Sequence, residues 1–212
     1  ICFDDLERAG NTLTLRDVLG LASFLKEQRG CKVAILLNNE KLSSDEKTEF
    51  YLQIEKVADV SIKFDISPED AANIGILGNK NTDITVKERI KTLRITNIRT
   101  VKKIERLAHR LSTALDGFEE RTLDQALTTV VLAGWSANEP DAAPTRDFLK
   151  SYNSYSASFD KKQVASAPLE SWRLALNEYP YTSTDELDLL ILDFAYDGYL
   201  DEDRLRAAAQ TL

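Results

Sequence analysis

Two adjacent carboxylates, Asp4 and Asp5, follow the apolar run Ile1-Cys2-Phe3 and precede Leu6-Glu7-Arg8. Acids delivered side by side to a strand end suit phosphate transfer. One carboxylate holds Mg²⁺, directly or through water, and the second orients the water that attacks a terminal phosphate. Adjacent acids at a strand end supply both groups. The same string also reads as a strand ending in a solvated acidic turn, so its meaning depends on what the rest of the chain brings beside it.

Such a pair acts only if folded elements hold it against further polar groups. Leu15, Val18, Leu19, Ala22 and Leu25 recur at helical spacing, with Thr14 placed to cap and Gly30 to stop, which predicts a helix over 14–29. Lys32-Val33-Ala34-Ile35-Leu36-Leu37 is a nearly continuous aliphatic run, as in a strand buried on both faces of a parallel sheet, and it ends in Asn38-Asn39. Ser43 with Glu46 has capping-box spacing and opens a helix carrying Phe50, Tyr51, Ile54 and Val57 on one side. Val60, Ile62, Phe64 and Ile66 then alternate with polar residues, predicting an edge or half-covered strand over 59–66, and Ser67-Pro68 starts another helix. Strand, helix, strand, helix, strand with crossovers of this length predicts a parallel α/β layer. Three strands make a poor sheet, so the reading expects partner strands upstream of Ile1.

Beyond about residue 84 the β pattern stops. Ile98, Val101, Ile104, Leu107, Leu111 and Leu115 form one apolar stripe, and Thr122 with Gln125 has the spacing of a cap for a second helix. Asn138 to Pro144 carries turn chemistry, and 151–166 reads as a polar linker. Three short helices over 168–178, 184–196 and 203–210 complete the chain, with Gly198 and Asp201 as stop and cap. The organisation expected is therefore an α/β core over 1–80, a helical segment over 81–137 and a helical C-terminal domain over 138–212.

A chain of 212 residues with 43% hydrophobic and 29% charged residues can bury a core, and no apolar run reaches the length of a membrane span. The two cysteines, Cys2 and Cys31, flank strand-like runs as small buried thiols do and make no disulfide framework, which points to a reducing cytosol. A net charge of −8 weighs against nonspecific nucleic-acid binding by the chain as a whole, although a local basic stretch remains open to it. The chain contains no methionine and begins inside a hydrophobic run, so it reads as part of a longer protein or as a sequence with residues omitted.

Asp4-Asp5-Leu6-Glu7-Arg8, then a helix, then a strand ending in Asn38, resembles the second half of a P-loop ATPase core, and within that class the KAP group. KAP ATPases share a Walker B element of the form hydrophobic-Asp-Asp-Leu-Asp-Arg, with Glu7 here in place of the third acid. The resemblance covers about residues 1–115. It implies that Asp4 is the Mg²⁺-associated carboxylate, that Asp5 polarises water, and that Asn38, with Asn39 as fallback, is the sensor amide facing lytic water and γ-phosphate. It also lets Arg8 reach a phosphate of a neighbouring subunit in a homo-oligomer, against the plainer reading of a salt bridge to Glu7 or a helix end. Asn97-Ile98-Arg99 resembles the Asn-Pro-Arg start of the lid helix in that group, which would bring Arg99 to the nucleotide, although isoleucine replaces the proline. The plainer reading makes Arg94, Arg99, Lys102, Lys103, Arg106 and Arg110 the solvated face of an amphipathic helix.

One motif is missing. The Gly-x-x-x-x-Gly-Lys-Ser/Thr loop that cradles phosphates occurs nowhere in the sequence, so ATP and Mg²⁺ binding would need that loop from upstream. His109 is the sole histidine and lacks a metal-ligand partner at helical spacing, and Asp193 to Asp203 misses the spacing of a calcium loop. The fold class expected is thus α/β: the C-terminal part of a parallel-sheet P-loop NTPase core, then an all-helical lid and helical bundle. The function expected is Mg-ATP hydrolysis coupled to conformational or assembly change in the cytoplasm, and the resemblance links such bacterial proteins to anti-phage defence. The other class is a non-catalytic helical module that binds other protein subunits, its acidic turn structural.

Overall fold

The capping signals resolve as written. Thr14 accepts from the Asp17 N–H while the Asp17 carboxylate accepts from the Thr14 N–H, and the helix they open, α1 (Leu15–Arg29), stops at Gly30 in the left-handed conformation (φ 60°). Ser43 and Glu46 do the same for α2 (Ser44–Val57). The structure is a computed structural model and describes residues 1–8, 13–154 and 167–212. The predicted linker therefore lies largely outside the described residues. Two units divide the chain, Ile1–Phe64 and Asp65–Leu212.

In the first unit, β1 (Cys2–Phe3) pairs in parallel with β2 (Ala34–Ile35), in the register Cys2 to Ala34 and Phe3 to Ile35. Phe3, Ile35 and Leu37 pack against a small core of Leu6, Leu15, Val18, Leu19, Leu42 and Phe50 supplied largely by α1 and α2. Cys2, Ala34 and Leu36 alternate with them and are exposed, so Cys2 is not the buried thiol expected, and Cys31 is only half-buried.

The expected parallel-sheet P-loop core is overturned. Among the described residues the protein is 65% helix and 3% strand, and its one sheet there has two strands. Val60, Ile62 and Phe64 have the period of a strand but join no sheet and stand 73%, 85% and 81% exposed. A period-two pattern gives each side chain a face, whereas a strand also needs a neighbour to take its N–H and C=O groups. Nor are residues 81–137 a lid over such a core, because they form the centre of a helical unit with its own interior.

That unit comprises α3 (Pro68–Gly75), α4 (Asn81–Thr92), α5 (Ile98–Ala114), α6 (Glu120–Asn138), α7 (Arg146–Lys150), α8 (Ala167–Asn177), α9 (Glu186–Asp197) and α10 (Glu202–Ala209). α6 is the hub, buried continuously from Ala126 to Ser136 against α4, α5, α7 and α9. It begins at Glu120, before the Thr122 cap expected. A helix buried all round must satisfy its polar side chains inside the protein. Accordingly Thr128 accepts from Arg89 Nε (2.9 Å), Thr129 donates to Asp188, and Ser136 bonds the Pro144 carbonyl and the Tyr196 hydroxyl. No helix among the described residues is long and apolar enough to cross a membrane.

Asp83, buried on α4, ties the unit's first helices together. It accepts from the Lys80 N–H (2.9 Å) and pairs with His109 Nε2 of α5 (2.8 Å). A Cβ on Gly78 would overlap this carboxylate, so the loop before α4 needs glycine there. Burial pushes the Asp83 carboxyl up, but the His109 and Lys80 hydrogen bonds and the charges of both residues outweigh it and leave the group below its ordinary value. Its contribution to stability is therefore present above the ordinary carboxylate range and is lost as pH falls through the lowered value. Asp83→Ala should cost about 1–3 kcal/mol near neutral pH, because it orphans the partly buried Lys80 N–H, and Asp83→Asn should cost less. Thermal unfolding of both variants reads this; equal losses would mean that the charge, not the cap, carries the effect.

Candidate functional site

β1 and β2 run in the same direction, with Ala34 N donating to Ile1 O (2.9 Å) and Leu36 N to Phe3 O (2.8 Å). Parallel pairing delivers both C-terminal ends to one edge. Asp4-Asp5 therefore emerges beside Asn38, and the two ends are joined directly: Glu7 Oε2 accepts from the Asn38 N–H at 3.1 Å. The backbone N–H groups of Glu7 and Asn38 hold the Glu7 carboxyl below its ordinary value; burial opposes this slightly and Arg8 reinforces it. Glu7 entered the sequence argument only as a departure from the Walker B pattern. Here it is the clasp, with the first turn after the acid pair, a short 3-10 turn over Leu6–Arg8, aiming it at the neighbouring strand.

The other site residues are exposed. Asp4 Oδ1 accepts from the Asp5 N–H at 2.8 Å, and Asp4 Oδ2 makes no hydrogen bond among the described residues. Asp5 has φ 54°, a left-handed backbone that aspartate tolerates better than most residues, and its carboxylate meets Arg8 Nη1 at 3.5 Å. With both side chains more than half exposed, that ion pair is weak and easily exchanged for another partner. The Asn38 Oδ1 caps the turn over Asn39–Lys41 by accepting from Glu40 N (3.0 Å), which leaves Nδ2 as its open donor. Asn39 Nδ2 donates to the Tyr51 hydroxyl at 2.9 Å and is directed to α2. Arg99 belongs to the helical unit, exposed in the first turn of α5, where its N–H bonds the Asn97 cap; it is not among the groups that β1 and β2 assemble.

Among the described residues, no three His, Cys, Asp or Glu side chains converge as a metal cage. Mg²⁺ does not require one, since it keeps several waters and takes one or two carboxylates together with phosphate oxygens. Asp4, with an open oxygen, fits that partial role. The phosphate-cradling Gly-x-x-x-x-Gly-Lys-Ser/Thr loop that would complete such a site does not occur in the sequence.

In the helical unit, a polar recess of about 280 Å³ is lined by Arg121, Gln125, Thr129, Tyr181, Asp185 and Asp188. Polar groups of its lining are already engaged: Gln125 Nε2 donates to Asp185 (2.7 Å), Thr129 donates to Asp188, and the Tyr181 hydroxyl pairs with Thr184 beside the recess. No family model, curated protein or solved structure matches the chain.

Proposed function

We propose that residues 1–64 supply the carboxylate-and-amide part of a site that hydrolyses Mg-ATP, with a phosphate-gripping loop contributed by polypeptide outside these 212 residues. The observation that supports this is the parallel pairing of β1 and β2, which sets Asp4, Asp5 and Asn38 at one edge with Glu7 clasping the ends together. Bound Mg²⁺ would neutralise charge on the phosphates. Asp4 would hold the hydrated cation through its open oxygen. Asp5 exchanges Arg8 for the attacking water and accepts its hydrogen bond, and Asn38 Nδ2 donates to that water or to the γ-phosphate. Arg8, once released, faces a phosphate of a neighbouring subunit in a homo-oligomer, and Arg99 is a second candidate for nucleotide contact. By the resemblance to KAP ATPases, the output is a conformational or assembly change in the cytoplasm, in the setting of anti-phage defence.

Phosphate release from Mg-ATP tests this reading in the protein together with its loop-bearing partner segment. Asp5→Asn should lower turnover by about 10²-fold or more while Mg-ATP affinity changes little, the scale expected when a group that positions or accepts a proton is lost. Equal turnover by variant and parent would remove Asp5 from the mechanism.

A second reading is favoured by the same side chains: Asn38 Oδ1 serves as a turn cap and Asp5 meets Arg8, as in a purely structural acidic turn. On that reading the chain is a helical protein-interaction module. Mg-ATP would then leave its melting temperature unchanged, and no phosphate would be released by the parent.

A further inference from the structure

α5 is cationic in an acidic chain: Ile98–Ala114 holds five Lys or Arg against one Glu, while the whole chain carries −8. Its apolar residues Val101, Ile104, Ala108 and Leu111 are buried, and Arg99, Lys102, Lys103, Arg106 and Arg110 recur at helical spacing on the opposite, exposed side. Glu105 lies on the flank of this stripe rather than within it. Two of the cations have partners. Lys103 Nζ bonds Asn138 Oδ1 (2.6 Å), and Arg110 bonds the Gly198 carbonyl (3.3 Å) and stacks on Phe194 (4.8 Å). Both partners are uncharged, so the positive charge is not cancelled. The side chains of Arg99, Lys102 and Arg106 make no hydrogen bond or ion pair among the described residues.

We propose that this face of α5 binds the phosphate backbone of nucleic acid without reading sequence. From Arg99 to Arg110 the stripe runs about 16 Å along the helix axis, with a cation every three or four residues. A phosphate chain offers a comparable run of negative charge, and binding is driven by release of its condensed counterions. The absence of large apolar side chains among the exposed residues of α5 separates this partner from two others. A protein partner gains most of its affinity from a desolvated aromatic or aliphatic centre, and a membrane-surface helix needs an apolar face to insert. Bare cations on a flat helix face offer neither, and a polyanion asks for neither. The proposal does not rest on ATP hydrolysis: Arg99 is the one residue the two readings share, and the binding is measured without ATP.

Fluorescence anisotropy with a labelled mixed-sequence duplex of roughly 20 base pairs, titrated from about 25 to 200 mM NaCl, reads the effect directly. The parent chain should bind at the lowest salt, with log K falling linearly against log salt at a slope of about −3 to −5. The triple variant Arg99→Gln, Lys102→Gln, Arg106→Gln should lose about three from the slope and at least about tenfold in low-salt affinity. Arg106→Gln alone should lose about one, which serves if the triple variant folds poorly. A control of equal charge, Arg16→Gln, Lys32→Gln, Lys41→Gln, takes its exposed cations from the first unit and should match the parent. No binding by the parent, an equal loss in the control, or competition by polyglutamate or anionic vesicles as strong as by unlabelled duplex would each overturn the assignment.

Discussion

Ile104→Ala should destabilise the helical unit by about 2–5 kcal/mol, and it should also make Gly134→Ala harmless, although Gly134→Ala alone should cost about 1–3 kcal/mol. Both expectations come from the α5–α6 crossing. Ile104 is fully buried, and an ideal Cβ on Gly134 would lie 2.7 Å from its Cγ1, with Leu107 Cδ1 at 3.6 Å. Cγ1 sits one bond from the branch point of a β-branched side chain that is confined to essentially one rotamer on a helix, so it cannot swing aside. The helices must part instead, and that separation spreads into Val130, Val131 and Leu132, all buried on α6. Alanine gains about 1 kcal/mol over glycine in helix propensity, which offsets only part of the overlap. With Ile104 shortened, the overlap vanishes, the new methyl partly fills the cavity, and the propensity gain remains. The double variant should therefore be more stable than the sum of the single losses by about 2 kcal/mol, a coupling that urea unfolding at constant m resolves. Additive losses would mean that the two helices slide apart freely at this crossing.

What the sequence made legible is what depends on near neighbours. Thr14 with Asp17 and Ser43 with Glu46 are caps within one turn, and Gly198 and Asp201 act as stop and cap as their spacing indicated. The α5 stripe also separated buried from exposed residues correctly, because an amphipathic helix writes its burial into its own period. Pairing across distance was not written that way. The run 32–37 predicted a full strand but pairs through two residues, because its only sheet neighbour among the described residues is the equally short β1, and 59–66 joins no sheet among them. Gln125, read as the far end of a cap with Thr122, instead reaches Asp185, sixty residues on. The candidate site has the same division. The acid pair and Asn38 stand out as residue types, whereas the Glu7 clasp that joins them spans 31 positions and leaves no local pattern.

Asp188 gives the second large effect, and its sign runs against the usual carboxylate. It is buried (1% exposed) at the start of α9, where it accepts from the Asp185 N–H (3.1 Å) and from the Thr129 hydroxyl of α6. Asp185 is the charged neighbour on the same helix; Gln125 bonds Asp185 from α6, and Tyr181 also faces the cluster. Burial pushes the Asp188 carboxyl up to about 6, the Thr129 and Asp185 donors restrain it, and the Asp185 charge adds to the rise. Between its ordinary value and about 6, the folded chain holds a proton that the unfolded chain has released. The stability this supplies is full below the ordinary value and is lost as pH rises through about 6, a swing of about 2–3 kcal/mol. Asp188→Asn cannot titrate, so the parent should gain about that much on the variant when the pair is compared at about pH 4 rather than about pH 7.5. Asp83, Asp193 and Glu7, held below their ordinary values, tilt both proteins the opposite way, and the difference cancels them. Asp188→Ala cannot titrate either, so its loss should be larger at about pH 4 than at about pH 7.5 by the same margin; about 1–3 kcal/mol should remain at the higher pH, because the buried Thr129 hydroxyl and the part-buried Asp185 N–H are left without an acceptor. Chemical denaturation of the three proteins at the two pH values decides it: a parent-minus-Asn difference that stays flat would mean that Asp188 is ionised throughout, its charge carried by Thr129 and the Asp185 N–H.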